Sequence, residues 1–131
     1  MTTGAGYTED HARAGGQAGF ELPALEAWPN QYADRDYWIE IETAEFTCRC
    51  PKTGQPDFAH LRARYVPDRL CVELKSFKEY LQAFREQGIF HENAANRIHD
   101  DLAACLLPRR LEVVLTFQPR GGIVTTVRAG G

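Results

Sequence analysis

No stretch of the 131 residues approaches the ~20 consecutive apolar residues that a membrane-spanning helix requires. The opening M-T-T-G-A-G-Y-T-E-D has neither the basic start nor the apolar run of a secretion signal, so a cytoplasmic protein with reduced thiols is expected. Positive charge is not in excess. The chain carries 15 Lys and Arg against 18 Asp and Glu, a formal net charge of −3, which argues against holding nucleic acid by bulk electrostatics. Internal repeats are missing too. What remains is a composition that is 44% hydrophobic and 25% charged on a length that supports one core and no second.

Residues 1–30 are rich in Gly, Ala, Thr and acids and have no sustained period, which predicts a flexible N-terminal arm with a short apolar patch at Phe20-Glu21-Leu22. A single domain is expected over 31–131. Strands are predicted over residues 37–43 and 60–66 from alternation and β-prone composition. Pro51, Gly54 and Pro56 make residues 50–57 a stiff loop. Leu74, Phe77, Leu81 and Phe84 share one helical face, with Gly88 as the stop. Ala95, Ile98, Leu102 and Cys105 mark a second helix, ended by Pro108. Two more strands, 111–117 and 123–127, flank Pro119-Arg120-Gly121-Gly122. The order ββααββ predicts an α+β layer, an antiparallel sheet with two helices on one face. Its two open edges predict an oligomer of sheets joined side by side, with a barrel of subunits as the extreme.

The four cysteines divide into two kinds. Cys71 and Cys105 lie in apolar runs, where an inert thiol is expected. Cys50 opens the string C-P-K-T-G-Q-P-D-F-A, which presents a thiol, a lysine and the Asp57 carboxylate on one proline-stiffened loop. The thiolate is the reactive form, and Lys52 can supply the cation that favours it, while Asp57 can donate a proton if the fold brings it close. A plain turn with an incidental cysteine and a capping aspartate is the bland alternative. Cys48 and Cys50 share a face of an extended segment and can seed a metal site with His60, His91 or His99, although paired zinc cysteines favour a wider spacing. In E-L-K-S-F-K, Lys75 and Lys78 share a helix face near its start, where phosphates are favoured, and Lys75 can equally pair with Glu79. Arg120 and Gly121 offer a guanidinium beside approachable backbone or form a plain hairpin turn. Glu92, in F-H-E, either caps its helix electrostatically or accepts paired N–H donors from a guanine-like ring.

Together, C-P-K-T-G-Q-P-D-F-A, E-L-K-S-F-K, F-H-E and P-R-G-G-I, in that order, resemble the 7-cyano-7-deazaguanine reductase (QueF) family of the single-module type, over about Tyr37 to Val127. The resemblance implies the tunnelling fold, with ββααββ subunits in stacked rings and sites between subunits. It implies reduction of the nitrile of 7-cyano-7-deazaguanine to the aminomethyl group, with two NADPH per turnover, in queuosine biosynthesis. It makes Cys50 the nucleophile that forms a thioimide and Asp57 the proton donor. Substrate contacts fall on Val72, Glu73, Leu74, His91 and Glu92, and cofactor contacts on Leu74, Lys75, Lys78, Arg120 and Gly121. No metal is implied. One departure is Glu79, an acid where the family usually has an apolar or tyrosine residue after its second lysine. Two alternatives stand beside this reading: a zinc-dependent cyclohydrolase on the same fold with Cys48, Cys50 and a histidine as ligands, and a non-catalytic purine- or pterin-binding oligomer.

Overall fold

The computed structural model describes residues 2–4, 7–8 and 20–131. The short strands β1 (Thr2–Gly4) and β2 (Tyr7–Thr8) pair with each other. The main sheet has the order β4-β5-β7-β8, all antiparallel, built from β4 (Ile39–Arg49), β5 (Pro56–Val66), β7 (Arg110–Phe117) and β8 (Thr126–Gly130). Helices α1 (Leu74–Gln82) and α2 (His91–Leu106) cover one face. A second small sheet pairs β3 (Ala27–Pro29) with β6 (Leu70–Val72).

Period-2 alternation runs the length of β5. Asp57, Ala59, Leu61, Ala63 and Tyr65 point inward while their neighbours up to Arg62 face solvent. The partners Phe117, Leu115, Val113 and Leu111 on β7 stand opposite four of them and face the same core. On β4 the phase changes. Thr43 pairs with Leu61 but Phe46 pairs with Ala59, so one extra residue is accommodated in a bulge. That insertion keeps Phe46 and Cys48 on the inner face after Ile39 and Ile41. Without it the end of the strand, Cys48 included, would turn outward.

The helices contribute Phe77, Tyr80, Leu81, Ala94, Ala95, Ile98, Leu102 and Leu106 to the core. Leu74 does not join the stripe predicted for it: it is 60% exposed at the first turn of α1. The single helix expected as far as Gln87 is instead α1 followed by a 3-10 turn, Ala83–Glu86. Leu107 ends α2 in the left-handed region (φ 47°), its N–H donating to the Ala103 carbonyl at 2.9 Å, and Pro108 follows, a residue that cannot continue the helix. The last strand starts at Thr126, not Ile123. Gly121 and Gly122 (φ 57° and 79°) turn the chain, Ile123 pairs back to Arg120, and Val127 and Ala129 take the positions opposite Leu115 and Val113.

Phe20, Leu22 and Leu25 lie against the core, and Ala27–Pro29 is a strand, so this part of the predicted arm is bound. Glu26 N–H donates to Ser76 Oγ at 3.0 Å, and Glu73 N–H donates to the Glu26 carbonyl at 2.8 Å, fastening the segment to the start of α1. The spaced apolar residues Phe20, Leu22 and Leu25 were too few to show a period. Most of the arm's earlier residues, 9–19 among them, lie outside the described residues. Among the described residues, no helix is long and apolar enough to cross a membrane.

Candidate active site

Two local devices build one cleft at the end of the sheet. First, β4 and β5 end as a hairpin whose loop is closed by backbone bonds from Cys50 N–H to the Gln55 carbonyl and from Gly54 N–H to the Cys50 carbonyl, both 2.8 Å. Gly54 takes φ 74°, a conformation that favours glycine. Second, residues 87–89 run alongside Arg49. Arg49 N–H donates to the Gln87 carbonyl at 2.8 Å, and Ile89 N–H to the Arg49 carbonyl at 3.0 Å. This brings Ile89-Phe90-His91 and the start of α2 over the loop. The cleft, about 260 Å³, is lined by Cys50, Asp57, Phe90, His91, Glu92 and Arg120 among others.

Asp57 reaches the cleft because it continues the inward alternation of β5. It is 6% exposed. His91 Nε2 lies 3.2 Å from its Oδ2, and Arg120 Nε 2.6 Å from its Oδ1. The His91 ring lies flat on Phe117, with centroids 3.6 Å apart and an interplanar angle of 3°. A buried carboxylate thus has a partner on each oxygen, as a charge in a dry place requires.

Cys50 is half-buried at the cleft wall. Burial pushes its thiol up, but the Thr53 hydroxyl and the N–H groups of Thr53 and Lys52 outweigh that, and the net direction is below the ordinary thiol value. The lysine expected to favour the thiolate therefore acts through its backbone N–H. Thr53 was not singled out in the sequence, although a Thr three residues after a turn cysteine is the signal that could have found it.

Cys48 has a different environment. It is wholly buried opposite Asp57 in the ladder, and burial, with Asp57 and Cys50 nearby, pushes its thiol up to about 12. Its sulfur lies 4.0 Å from the Ile89 carbonyl within the core, and among the described residues no three His, Cys, Asp or Glu side chains are grouped as metal ligands. His60 lies against Glu42 at 3.3 Å and His99 against Asp100 at 3.1 Å, each already engaged away from Cys50.

The remaining candidates lie elsewhere. Val72 is buried, with its N–H donating to Tyr65 Oη at 3.0 Å. Glu73 caps α1: its carboxylate accepts from Lys75 N–H at 2.8 Å and from Ser76 N–H at 2.7 Å, and those bonds hold its carboxyl below the usual range. Lys75 Nζ sits 4.0 Å from Glu79. Leu74 and Lys78 line a second groove, between α1 and edge strand β4, with Ile41, Phe46, Phe77 and Arg85. Within one chain, then, Cys50, Asp57, His91, Glu92 and Arg120 come together, with Gly121 next to Arg120, and Val72 through Lys78 do not join them.

A family model described as QueF-like protein matches residues 56–130. The chain belongs to that family. A relative from Elusimicrobium minutum (strain Pei191) is 52% identical over 124 residues, covering 95% of this chain and 92% of its own. One from Nitrosospira multiformis is 57% identical over 105 residues, covering 80% of this chain and 76% of its own. Both are named NADPH-dependent 7-cyano-7-deazaguanine reductase. The crystal structure of the archaeosine synthase QueF-Like in the apo form superposes with a TM-score of 0.67 at 20% identity, over 72% of this chain and 92% of that one. The fold is shared, and with it the expected ββααββ arrangement of the tunnelling fold.

Proposed function

We propose that this protein reduces the nitrile of 7-cyano-7-deazaguanine to the aminomethyl group, with NADPH as reductant, in queuosine biosynthesis in the cytoplasm. The observation that carries it is one cleft holding a thiol of lowered pKa, Cys50, beside a buried carboxylic acid, Asp57. Membership of the family, and the common name of relatives above 50% identity, support the same reading.

The residue chemistry fits. Cys50 gives up its proton and its sulfur attacks the nitrile carbon, while Asp57 delivers a proton to the nitrogen, leaving a thioimide on Cys50. Glu92, exposed in the first turn of α2 at the cleft wall, accepts the parallel N1–H and 2-amino donors of the deazaguanine ring. His91, fixed by Phe117, holds Asp57 in place. NADPH supplies the hydrides, two equivalents per nitrile. An apolar groove with Lys78 and Arg85 in its wall and Lys75 on the same helix fits a cofactor with aromatic rings and phosphates, and Arg120 with Gly121 is its partner at the cleft. The thioimide route asks for no metal.

The split between the cleft and the start of α1 supports a homo-oligomer. Val72, Glu73, Leu74, Lys75 and Lys78 of one subunit complete the site of another. The open edges β4 and β8, and the exposed Ile123 and Val124 beside β8, favour rings of sheets joined edge to edge. NADPH absorbance followed with and without 7-cyano-7-deazaguanine tests the function. Loss of two NADPH per nitrile, only when the nitrile is present, is expected. Nitrile-independent oxidation, or none, would refute it.

A further inference from the structure

Arg120 lies inside the site rather than out where a phosphate would meet it. Its Nε donates to Asp57 Oδ1 at 2.6 Å, and its two terminal nitrogens donate to Gln55 Oε1 and to the Pro56 carbonyl. Three of the five donors of the guanidinium are therefore spent on the wall that carries Asp57. With His91 on Oδ2, both oxygens of the acid are occupied. An acid that must take a proton and hand it to nitrogen needs one oxygen clear.

The side chain is nevertheless partly open to solvent. Its exposure is 43%, against 7% for Asp57. It stands at the start of a turn through Gly121 and Gly122, around which an added Cβ would meet nothing within 4 Å. We propose that Arg120 is a gate on Asp57: inward, it occupies the carboxylate, and phosphate groups of the bound cofactor draw it outward and free the acid. This rests on the function proposed above.

The coupling follows from that pairing. Once the guanidinium leaves, Asp57 Oδ1 is open to accept a proton while His91 still holds Oδ2. The Cys50 thiol supplies the proton. The S–C bond then forms, one C–N π bond breaks, and the nitrogen takes that proton from Asp57, so the net step adds the thiol across the nitrile with no oxidant or reductant. Arg120 forms and breaks no bond in this step; it acts through Asp57 and is a positioning residue. Its effect is to make adduct formation faster, though not conditional, when a cofactor that has not yet reacted is bound.

The test is the rate of Cys50 adduct formation with 7-cyano-7-deazaguanine, read by intact mass, with and without NADP+, which cannot give hydride. NADP+ should speed the wild type by about tenfold, a coupling of about 1.4 kcal/mol. Arg120→Ala and Arg120→Gln should form the adduct at the stimulated rate without NADP+ and gain nothing from it. Two exposed-turn variants guard against a folding defect in one. A wild-type rate indifferent to NADP+, or variants slower than unstimulated wild type, overturns the gate and leaves the nitrile chemistry standing. No adduct in any protein overturns both.

Discussion

Cys50 and Cys48 are two residues apart, and their thiols are pushed in opposite directions. Cys48 is held in the core at about 12, while Thr53 and two backbone N–H groups bring Cys50 below the ordinary value. The difference has a direct readout. Alkylation by iodoacetamide should label Cys50 with a midpoint below that of a free thiol, and leave Cys48 unlabelled in the folded protein. Thr53→Val removes a hydrogen bond that favours the thiolate, so the Cys50 midpoint should move up in pH, measured as alkylation rate against pH. An unmoved midpoint would leave the backbone N–H groups as the sole cause. Glu92 is tested at the same scale. Each charge-assisted bond proposed between it and the ring would be worth about 1.5–3 kcal/mol, and Glu92→Gln turns one acceptor toward a donor. Substrate affinity measured by calorimetry should fall by roughly two powers of ten, at about 1.4 kcal/mol per decade. Equal affinity would return Glu92 to the role of a helix-terminal charge.

At the level of elements, much of the fold was legible because the signals were local and periodic. The alternation of β5 and the spacing of Phe77, Leu81 and Phe84 gave the strand and the helix, although β5 begins at Pro56 inside the expected loop, not at His60, and Phe84 falls in the 3-10 turn; the two edges followed from the strand order. Less legible was whatever depended on distant partners. Nothing in Ala27-Trp28-Pro29 announces a strand, and it becomes one because Leu70–Val72 offers its edge. The β4 bulge is equally silent in sequence, yet it decides that Cys48 faces the core. In the cleft, the string suggested that Cys50 and Asp57 belong together, and the structure lines one cleft with both. Arg120 was read as a phosphate contact, and its inward pairing with Asp57 depends on two hairpins meeting, which spacing does not report. Packing between these elements centres on Phe84, fully buried and in ring contact with Phe20, Phe46 and Tyr80 at 5.6, 5.3 and 5.5 Å. Phe84→Ala should destabilise the fold by about 3–5 kcal/mol in urea unfolding. A change below about 1 kcal/mol, the level of a surface substitution, would mean that the N-terminal segment and β4 are not held through this ring.

At the scale of the whole molecule, among the described residues, Cys50 and Asp57 share one cleft and Lys78 lies beside another groove. Strands β4 and β8 are the two edges of the main sheet, and residues 87–89 cover only the Arg49 end of β4 among the described residues. Sedimentation of the wild type should therefore show a homo-oligomer, and a mixture of Cys50→Ala and Lys75→Ala/Lys78→Ala chains should regain activity through mixed sites. A fully active monomer would contradict the shared site. The most direct measurement of the central claim, that Cys50 attacks a nitrile with Asp57 as the proton donor, is the mass of the protein after mixing with 7-cyano-7-deazaguanine and no NADPH. The account predicts one added substrate mass per chain, mapped to Cys50, absent in Cys50→Ala and formed about 100- to 10,000-fold more slowly in Asp57→Asn. An adduct on another residue, or full turnover by Cys50→Ala, would contradict it.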